Sequence, residues 1–377
     1  MANTFITPTV IAKLALPTLL NNMKMASLIY RDYSKEFRKI GSSVRIRKPA
    51  TLSAIEFDGD LTGEYQNITE GYVDVDMDTI LVVPTEVSAE DMTLDIMSFN
   101  TQVIEPAVQA LAQEVDVRLC KLYKDVPYYE DTEDTTAISD ILNARRVQND
   151  LKVPFDANRS AVMSPMTTAS LLALEAFRGL DKTGSTTALR NASLGRLFGY
   201  EFYESQNIQN HVTDASITAD DAGTAAICLA GVQTMVVSAL GAAGTIYDGT
   251  IFTIAGDTTQ YAVTADAAIA GNVATILFYP ALVTATPLGT EVVTFHTTLA
   301  TGRENLMFHK NAFCMVSAPI APPIGGAKGV NLNYKGLTIN VVYDYVTSQM
   351  KNIMTFSILC GFKTLTPELA VRLYDAV

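Results

Sequence analysis

Three carboxylates stand at alternate positions in residues 74–78, namely Asp74, Asp76 and Asp78, and closely spaced carboxylates are common ligands of calcium. A helix–loop calcium motif needs glycine at its sixth position and glutamate at its twelfth. Counted from Asp74, those positions hold Thr79 and Thr85. Alternate residues of a β-strand lie on one face, so the exposed acidic face of a strand explains the pattern better. We predict no metal site here.

Histidine is the side chain best suited to proton transfer near neutral pH, and the chain has only His211, His296 and His309. None stands at metal-ligand spacing from another, so we interpret them as surface or structural residues. The glycine-rich residues 325–329 contain a lysine but lack the following serine or threonine of a phosphate-binding loop, and we predict a flexible loop. The sequence therefore predicts a protein that is not an enzyme and has no cofactor or metal.

Cysteine usage and the N-terminus bear on the compartment. The four cysteines form no pair at the spacing of a zinc or redox motif, so we predict buried, free thiols in a reducing cytoplasm. Near the N-terminus, the apolar stretch of residues 10–20 is interrupted by Lys13 and Pro17, which argues against a signal peptide or a membrane span. The cysteines are Cys120, Cys228, Cys314 and Cys360.

Basic residues are missing from a long central segment. Between Arg196 and Arg303 there is no lysine or arginine, whereas nine residues are acidic. Together with the net charge of −13, this opposes direct binding of nucleic acid, which needs clustered cations. Apolar residues alternate with polar ones at residues 250–254 and 260–264, the period of β-strands. We predict an autonomous β domain over residues 209–300.

Charge is divided sharply near the N-terminus. Residues 1–48 hold nine basic and two acidic residues, giving +7, and residues 49–100 hold twelve acidic residues and no base, giving −12. Two hypotheses remain open: both blocks are solvated faces of one domain, or they attract each other at an interface. The residues that would carry such an interface are Arg45, Arg47, Lys48, Asp74, Asp76 and Asp78.

Local patterns place these residues on predicted elements. A helix is predicted over residues 8–31, kinked at Pro17, and a basic strand over residues 41–48. A long acidic hairpin follows, with its return strand along residues 72–84. Helical spacing predicts a long helix from Ile104 and further helices at residues 138–150 and 165–174, with a strand at 160–163 between these two. Two strand-rich runs, at residues 305–319 and 332–377, close the chain, and the second contains a hairpin turning near residues 348–352.

The order of these segments resembles the major capsid proteins of tailed bacteriophages, the Hong Kong 97 type of shell fold. The likeness is carried by residues 143–165, which read as a helix, a Val-Pro turn and a strand, by the Gly-rich turn of residues 195–205, and by the strand of residues 305–313. It is strongest to short-tailed-phage coat proteins that carry an inserted β-barrel, which would here be residues 209–300.

The resemblance implies an α+β fold with six regions. These are an N-terminal arm (1–48), an extended hairpin loop (49–86), a peripheral domain with a long spine helix (87–135), a first part of the axial domain (136–208), the inserted all-β domain (209–300) and return strands (301–377). In such shells the arm and hairpin reach neighbouring subunits, which favours a role for the charge division in setting lattice register.

The resemblance also implies a function. The chain would assemble with copies of itself into the pentamers and hexamers of an icosahedral shell, in the host bacterial cytoplasm, around double-stranded DNA held by confinement. Portal and scaffolding proteins, and in some shells a decoration protein, would be further partners, and no membrane would be involved. Two alternatives stay open: an encapsulin-like compartment shell, and a β-rich carbohydrate-binding or adhesive protein.

Overall fold

The computed structural model describes residues 23–31, 43–48, 52, 54, 56, 65–66, 68, 70–88, 100–131, 137–174, 194–214, 223–240, 243–286, 289, 291–296, 303–321, 323, 328–334 and 337–375. They divide into two compact units. The first draws its described residues from the ranges 31–111 and 315–365, and the second from 19–30, 112–314 and 366–377. Of the helix predicted over residues 8–31, residues 8–22 lie outside the described residues.

The described residues form a mixed α and β structure. Its helices are α1 (Met25–Leu28), α2 (Glu105–Cys120), α3 (Ile138–Asp150) and α4 (Pro165–Ala173). Its strands are β1 (Ser43–Arg47), β2 (Tyr72–Asp76), β3 (Thr79–Ser88), β4 (Tyr129–Asp131), β5 (Arg159–Met163), β6 (Arg196–Leu197), β7 (Tyr200–Glu204), β8 (Gly223–Ala225), β9 (Thr234–Ser238), β10 (Ala243–Ile246), β11 (Ile251–Ile254), β12 (Tyr261–Val263), β13 (Ala267–Ala270), β14 (Val273–Tyr279), β15 (Val292–His296), β16 (Arg303–His309), β17 (Phe313–Ala318), β18 (Lys328–Tyr334), β19 (Leu337–Val346), β20 (Lys351–Thr364) and β21 (Ala370–Asp375).

In the first unit, β1 and β2 pair as an antiparallel hairpin. Val44 and Ile46 are buried in β1 and its arginines point outward, as the alternation predicts. The return strand stops at Asp76, and the prediction that it continues to Pro84 is wrong. The next strand, β3, pairs with β20 instead. Alternation continues through both strands, so the sequence carries no local signal for the change of partner.

The first unit also contains a five-stranded sheet, of which only Phe313 and Cys314 fall in the second unit. Strands β17, β20, β19 and β18 lie in that order, and β3 pairs with β20. The predicted closing hairpin is confirmed, because β19 and β20 pair from Asn340 opposite Ser357 to Val346 opposite Lys351. Lys328 and Gly329 belong to β18, so for these two residues the predicted flexible loop is wrong. Backbone pairing with β19 fixes them.

In the second unit, a six-stranded sheet has the order β4-β21-β16-β5-β7-β6. Helices α3 and α4 contribute Ile141, Ala144 and Leu171 to the core that covers it. Both helices and β5 fall within a residue of the predicted positions. Helix α1 is a single turn that ends at Leu28, and Ile29 is extended, so the predicted helix does not reach residue 31. Tyr30 forms a bridge with Cys314 instead.

Helix α2 is the long helix predicted from Ile104. It begins after a π-helical turn at Asn100–Ile104 and continues as a 3-10 turn at Lys121–Asp125. Its 16 residues correspond to a length of about 24 Å at 1.5 Å per residue. The residues at the predicted helical spacing are buried, with exposed fractions of 0–1% for Ile104, Val108, Leu111, Val115 and Leu119.

The second unit also contains a closed β-barrel. Each of six strands pairs antiparallel with its neighbours in the ring β8-β9-β14-β12-β11-β15, and β15 pairs back to β8. Strands β10 and β13 form an additional pair attached through the turn between β13 and β14. Closure removes the exposed edges of a sheet, which would otherwise bind other strands. All six strands lie within residues 209–300.

Aromatic rings fill the barrel. The ring of Phe252 is fully buried and lies with its centroid 5.4 to 5.7 Å from those of Tyr261, Phe278 and Phe295. Inward residues alternate with outward ones along β9 and β14, which is the pattern that predicts strands in this segment. The barrel thus has a hydrophobic core of its own.

Replacing Phe252 by Ala should destabilise the second unit by about 3–5 kcal/mol, because it leaves a cavity among three other rings. The matched control is Val236→Ala on the outward face of β9, where the side chain is 40% exposed and the loss should stay below about 1 kcal/mol. Denaturant unfolding measures both. Equal losses in the two variants would contradict a packed barrel interior.

Candidate assembly surfaces

The hairpin of β1 and β2 brings two of the six predicted interface residues together. Arg45 lies directly opposite Asp74, and its Nε and Nη2 each donate to a carboxylate oxygen at 2.8 Å. The guanidinium also lies 3.9 Å from the centroid of the Tyr72 ring. The hydrogen bonds from Arg45 lower the pKa of Asp74. Arg45 is exposed and Asp74 is partly exposed, so the pair orders the hairpin face more than it stabilises the fold.

The other four predicted residues are not joined in this way. Arg47 lies 3.7 Å from Glu70, which is also exposed. Asp78 lies beyond the end of β2, so it does not share the strand face of Asp74 and Asp76 as predicted. Its carboxylate accepts a hydrogen bond from the Thr79 hydroxyl instead. Lys48 donates its backbone N–H to Gly71 and so extends the hairpin.

The pairing changes the interpretation of the charge division. The hypothesis placed the two opposite charges on different subunits, whereas Arg45 and Asp74 pair within one chain because β1 and β2 are adjacent antiparallel strands. The neighbourhood also exposes large apolar side chains. These are Leu52, Tyr65, Ile68 and Tyr72, with exposed fractions of 61%, 82%, 72% and 57%. Exposed apolar residues beside charges are typical of protein–protein surfaces.

None of the three histidines is a surface residue. His211 and His309 are both 3% exposed, and His296 is partly buried. His309 Nε2 lies 3.2 Å from a carboxylate oxygen of Asp156, which is more exposed. In the part of the chain that the structure describes, no cluster of histidine, cysteine, aspartate or glutamate could hold a metal ion.

One end of the barrel rests on the six-stranded sheet of the same unit. Arg372, in β21, is fully buried, and its Nε donates to the carbonyl of Val126 at 2.7 Å while its Nη2 donates to the carbonyl of Gly249 at 2.8 Å. Gly249 belongs to the barrel, in the turn between β10 and β11. The guanidinium carbon also lies 5.2 Å from the centroid of the Tyr123 ring. One side chain therefore bonds both sides of the contact.

We call this contact the seat: barrel residues 248–250 and Gln260 against residues 123–129 and Arg372. Lys124 Nζ donates to Asp248 at 2.5 Å. The Gln260 side chain accepts from the backbone N–H of Tyr129 at 2.8 Å and donates to its carbonyl at 2.9 Å. The seat thus combines the ion pair of Lys124 and Asp248 with side-chain hydrogen bonds to the backbone of Val126, Tyr129 and Gly249.

A buried carboxylate lies beside the seat. Glu304 is 2% exposed, and its Oε1 lies 3.9 Å from Arg372 Nη1. Neither of its carboxylate oxygens accepts a hydrogen bond from the residues that the structure describes. Burial raises the pKa of Glu304, and the charge of Arg372 opposes that shift. The backbone of Glu304 bonds to Gln209, so the chain segments that lead to and from the barrel run side by side here.

His211 joins the two sides of the seat through hydrogen bonds to Tyr123 on one side and Thr250 of the barrel on the other. The Thr250 hydroxyl donates to the carbonyl of Tyr247 at 2.8 Å, so its oxygen accepts from His211 Nε2 at 3.2 Å. That leaves His211 Nδ1 to accept from the Tyr123 hydroxyl at 3.1 Å. The geometry assigns a neutral imidazole protonated on Nε2. Burial, with the nearby charges of Arg372 and Lys124, lowers the pKa of His211 to about 3.

Arg372 and Glu304 were missed by sequence reasoning. Each is a charged residue inside an otherwise buried strand, since every residue of β21 is buried and Glu304 is followed by five buried residues in β16. A charge within such an apolar run is the signal that could have found them, because lysine, glutamate, arginine and aspartate are almost never fully buried unless paired.

The cysteines are free thiols, as predicted. Cys120, Cys314 and Cys360 are buried, but Cys228 is only partly buried, so the prediction of a buried thiol is wrong there. Cys228 bridges to Thr286 and packs at the edge of the barrel core, where it is only partly covered. Among the described residues, no helix is both long and apolar enough to cross a membrane.

Similar solved structures identify the fold. The chain is similar to a structure from Mycobacterium phage Che8, at 14% identity over 93% of this chain and 90% of that one, with a TM-score of 0.53. It is also similar to the capsid of the cyanophage P-SCSP1u, at 12% identity over 89% and 84% of the two chains, and to the capsid of a native GTA particle, at 10% over 94% and 91%, each with a TM-score of 0.50. These likenesses define a mixed α and β fold of the Hong Kong 97 type.

The family follows from the sequence itself. Residues 1–264 match the model of the family described as "P22 coat protein - gene protein 5", and the chain belongs to that family. It is a major capsid protein, the structural subunit of an icosahedral bacteriophage shell. This favours the capsid hypothesis over the encapsulin-like and carbohydrate-binding alternatives. Comparison with curated proteins gives no match.

The depressed pKa of His211 predicts acid sensitivity of the second unit. Below about pH 6.5 the unfolded chain binds a proton that the folded chain takes up only near pH 3, so stability falls as the pH is lowered through this window. Between pH 7 and pH 5 the parent should lose about 2 kcal/mol more than His211→Gln, measured by denaturant unfolding. His309→Gln is the control variant. Parallel pH profiles for parent and His211→Gln would contradict the neutral, buried imidazole.

Proposed function

We propose that the hairpin and the barrel are two of the surfaces through which copies of this chain meet in the shell. In this proposal, residues 1–48 are an arm, 49–86 the extended hairpin loop, and 87–135 a peripheral domain whose spine is α2. Residues 136–208 and 301–377 form the axial domain and the return strands. Residues 209–300, which hold the barrel, are an insertion in the axial domain.

The observation that carries the proposal is the composition of the hairpin. It is a two-stranded ribbon with buried valine and isoleucine on one face and an ordered arginine–aspartate pair on the other. Two-stranded ribbons are marginally stable alone. This one exposes Tyr72, and Leu52, Tyr65 and Ile68, which lie between its two strands in the sequence, are exposed as well. Contact with a second copy would bury those side chains and use the charged face for register.

The charged residues proposed to contact a neighbour remain Arg45, Arg47, Lys48, Asp74, Asp76 and Asp78. Arg45 and Asp74 form one ordered pair, so a neighbour would meet a fixed pattern of charge rather than loose side chains. Each exposed pair contributes little, but a lattice repeats the contact at every subunit. Small energies per contact therefore decide between assembled and free subunits.

The wider partners follow from the shell. Copies of the chain would form pentamers and hexamers around packaged double-stranded DNA, which an acidic subunit holds by confinement rather than by phosphate contacts. Assembly would take place in the host cytoplasm with portal and scaffolding proteins, and a decoration protein where the shell carries one. The subunit itself would catalyse no reaction.

Exchanging the paired charges separates the effect of the ion pair within the chain from the effect of the charge pattern that a neighbour meets. The double variant Arg45→Asp with Asp74→Arg keeps an ion pair within the chain but reverses the pattern that a neighbour meets. We expect a folded subunit that forms far fewer particles, counted by negative-stain microscopy and sedimentation at low and moderate salt. Screening by salt should weaken the difference from the parent.

The matched control exchanges another exposed ion pair, Glu114→Arg with Arg118→Glu on α2, whose parent atoms lie 2.9 Å apart. If the hairpin exchange assembled as well as the parent at both salt concentrations, no neighbour would distinguish these charges, and the proposed interface would be abandoned.

A further inference from the structure

We propose that Arg372 is a positioning residue for shell assembly: by binding carbonyl oxygens on both sides of the seat, it fixes the orientation of the barrel, and the shell forms only with the barrel held there. This inference rests on the lattice role proposed above for the barrel.

Arg372 is itself held in place. Strand β21 pairs with β16 on one side, where Arg372 faces Leu306, and with β4 on the other, where it faces Tyr129. Its backbone N–H also bonds to the carbonyl of Tyr128 at 2.9 Å. Since the strand lies inside the six-stranded sheet, the guanidinium projects from a fixed point. The planar fork then selects one direction for each acceptor.

The pair with Glu304 does not explain why an arginine stands here. Its closest approach is 3.9 Å, longer than a charge-assisted hydrogen bond, and the Nε and Nη2 donors are used by carbonyl groups instead. Replacing a buried ion pair by apolar residues is often neutral or stabilising, so stability alone does not favour this arrangement. Glu304 balances the charge, and the two carbonyl bonds supply the directional contact.

Gly249 shows how closely the turn of the barrel approaches Lys124. Its φ is +88°, a conformation that other residues rarely adopt. A Cβ atom there would lie 2.9 Å from Lys124 Cγ and 3.0 Å from Lys124 Cα, which belongs to the backbone. Glycine is therefore needed on the barrel side for its carbonyl to reach Arg372. The seat combines an arginine with a glycine that share one hydrogen bond, and a side chain at residue 249 would collide with Lys124.

Several titratable groups surround this contact, and most of them bond to partners within it. Tyr123 and Lys124 come from the 3-10 turn, Asp248 from the barrel, and His211 and Glu304 from the segments leading to and from it. The barrel is thus held by groups that lose their partners together if it turns. Loss of Arg372 should leave the barrel folded but free to change its angle.

The inference is tested with two unlike changes at the same contact. Arg372→Met alone would strand the Glu304 carboxylate in the interior, so it is combined with Glu304→Gln. Gly249→Ala keeps both charges and instead pushes the barrel turn away from Lys124. The control is Ile276→Ala, a fully buried position of the barrel core outside the seat, which lowers stability without touching Arg372.

The direct readout is the orientation of the barrel in the full-length, unassembled subunit. Spin labels are attached at Val236→Cys on the barrel and Leu142→Cys on α3, both exposed positions of the second unit, in a background carrying Cys228→Ser. Pulsed electron resonance then gives the distribution of distances between them. We expect one narrow distribution for the parent and for Ile276→Ala, and a broad one for both seat variants.

Particle formation is measured in parallel. The yield of particles from the seat variants should be lower than that of the parent by about tenfold or more, because the loss of one charge-assisted hydrogen bond changes an equilibrium by about that factor. Narrow distributions in both seat variants would overturn the inference and leave the lattice role of the barrel untouched. Broad distributions with a normal yield would instead contradict that lattice role, and with it the dependence of assembly on Arg372.

Discussion

The contact between the barrel and the six-stranded sheet is built around the buried charge of Arg372. A buried guanidinium loses its hydration and must be met by protein groups, and here two carbonyls, an aromatic face and a carboxylate meet it. Those groups come from parts of the chain that are far apart in sequence, which include residues 123–126, 249 and 304. A barrel that could pack independently is thereby tied to one place on the sheet. Hydrophobic contact alone would leave its angle less determined, because apolar packing has no direction.

The charged pair of the hairpin, unlike Arg372, lies at the solvent-exposed surface. Arg45 and Asp74 form a pair at the surface, where ion pairs are weak and screened by salt. The role proposed for the pair is therefore a pattern of charge that another subunit can recognise. Arg372 lies where the effective dielectric is low and hydrogen bonds to charge are strong. A capsid subunit needs both properties. It must keep a defined internal shape, and it must join its neighbours by contacts weak enough to form and correct during assembly.

The local sequence pattern predicted the helices and strands but not the closure of six strands into a barrel. Helix α3 was found to the residue because its apolar spacing is regular and the chain turns before Pro154, and β11 and β12 followed from alternation. That β15 returns to β8 and closes a ring depends on pairings between distant residues, for which single residues carry no signal. The charged face was predicted, but Arg45 and Asp74 proved to pair in one chain. The seat was not predicted, since whether a charge in a strand is buried depends on what covers it.

In the proposed shell, each subunit carries its barrel in one orientation, held by Arg372. A cryo-electron microscopy reconstruction of the particles that the parent chain forms would show that orientation. We expect an icosahedral shell in which every copy has the six-stranded barrel on its seat, with the guanidinium between the carbonyls of Val126 and Gly249. A shell whose copies hold the barrel at different angles, with Arg372 bound to neither carbonyl, would contradict it.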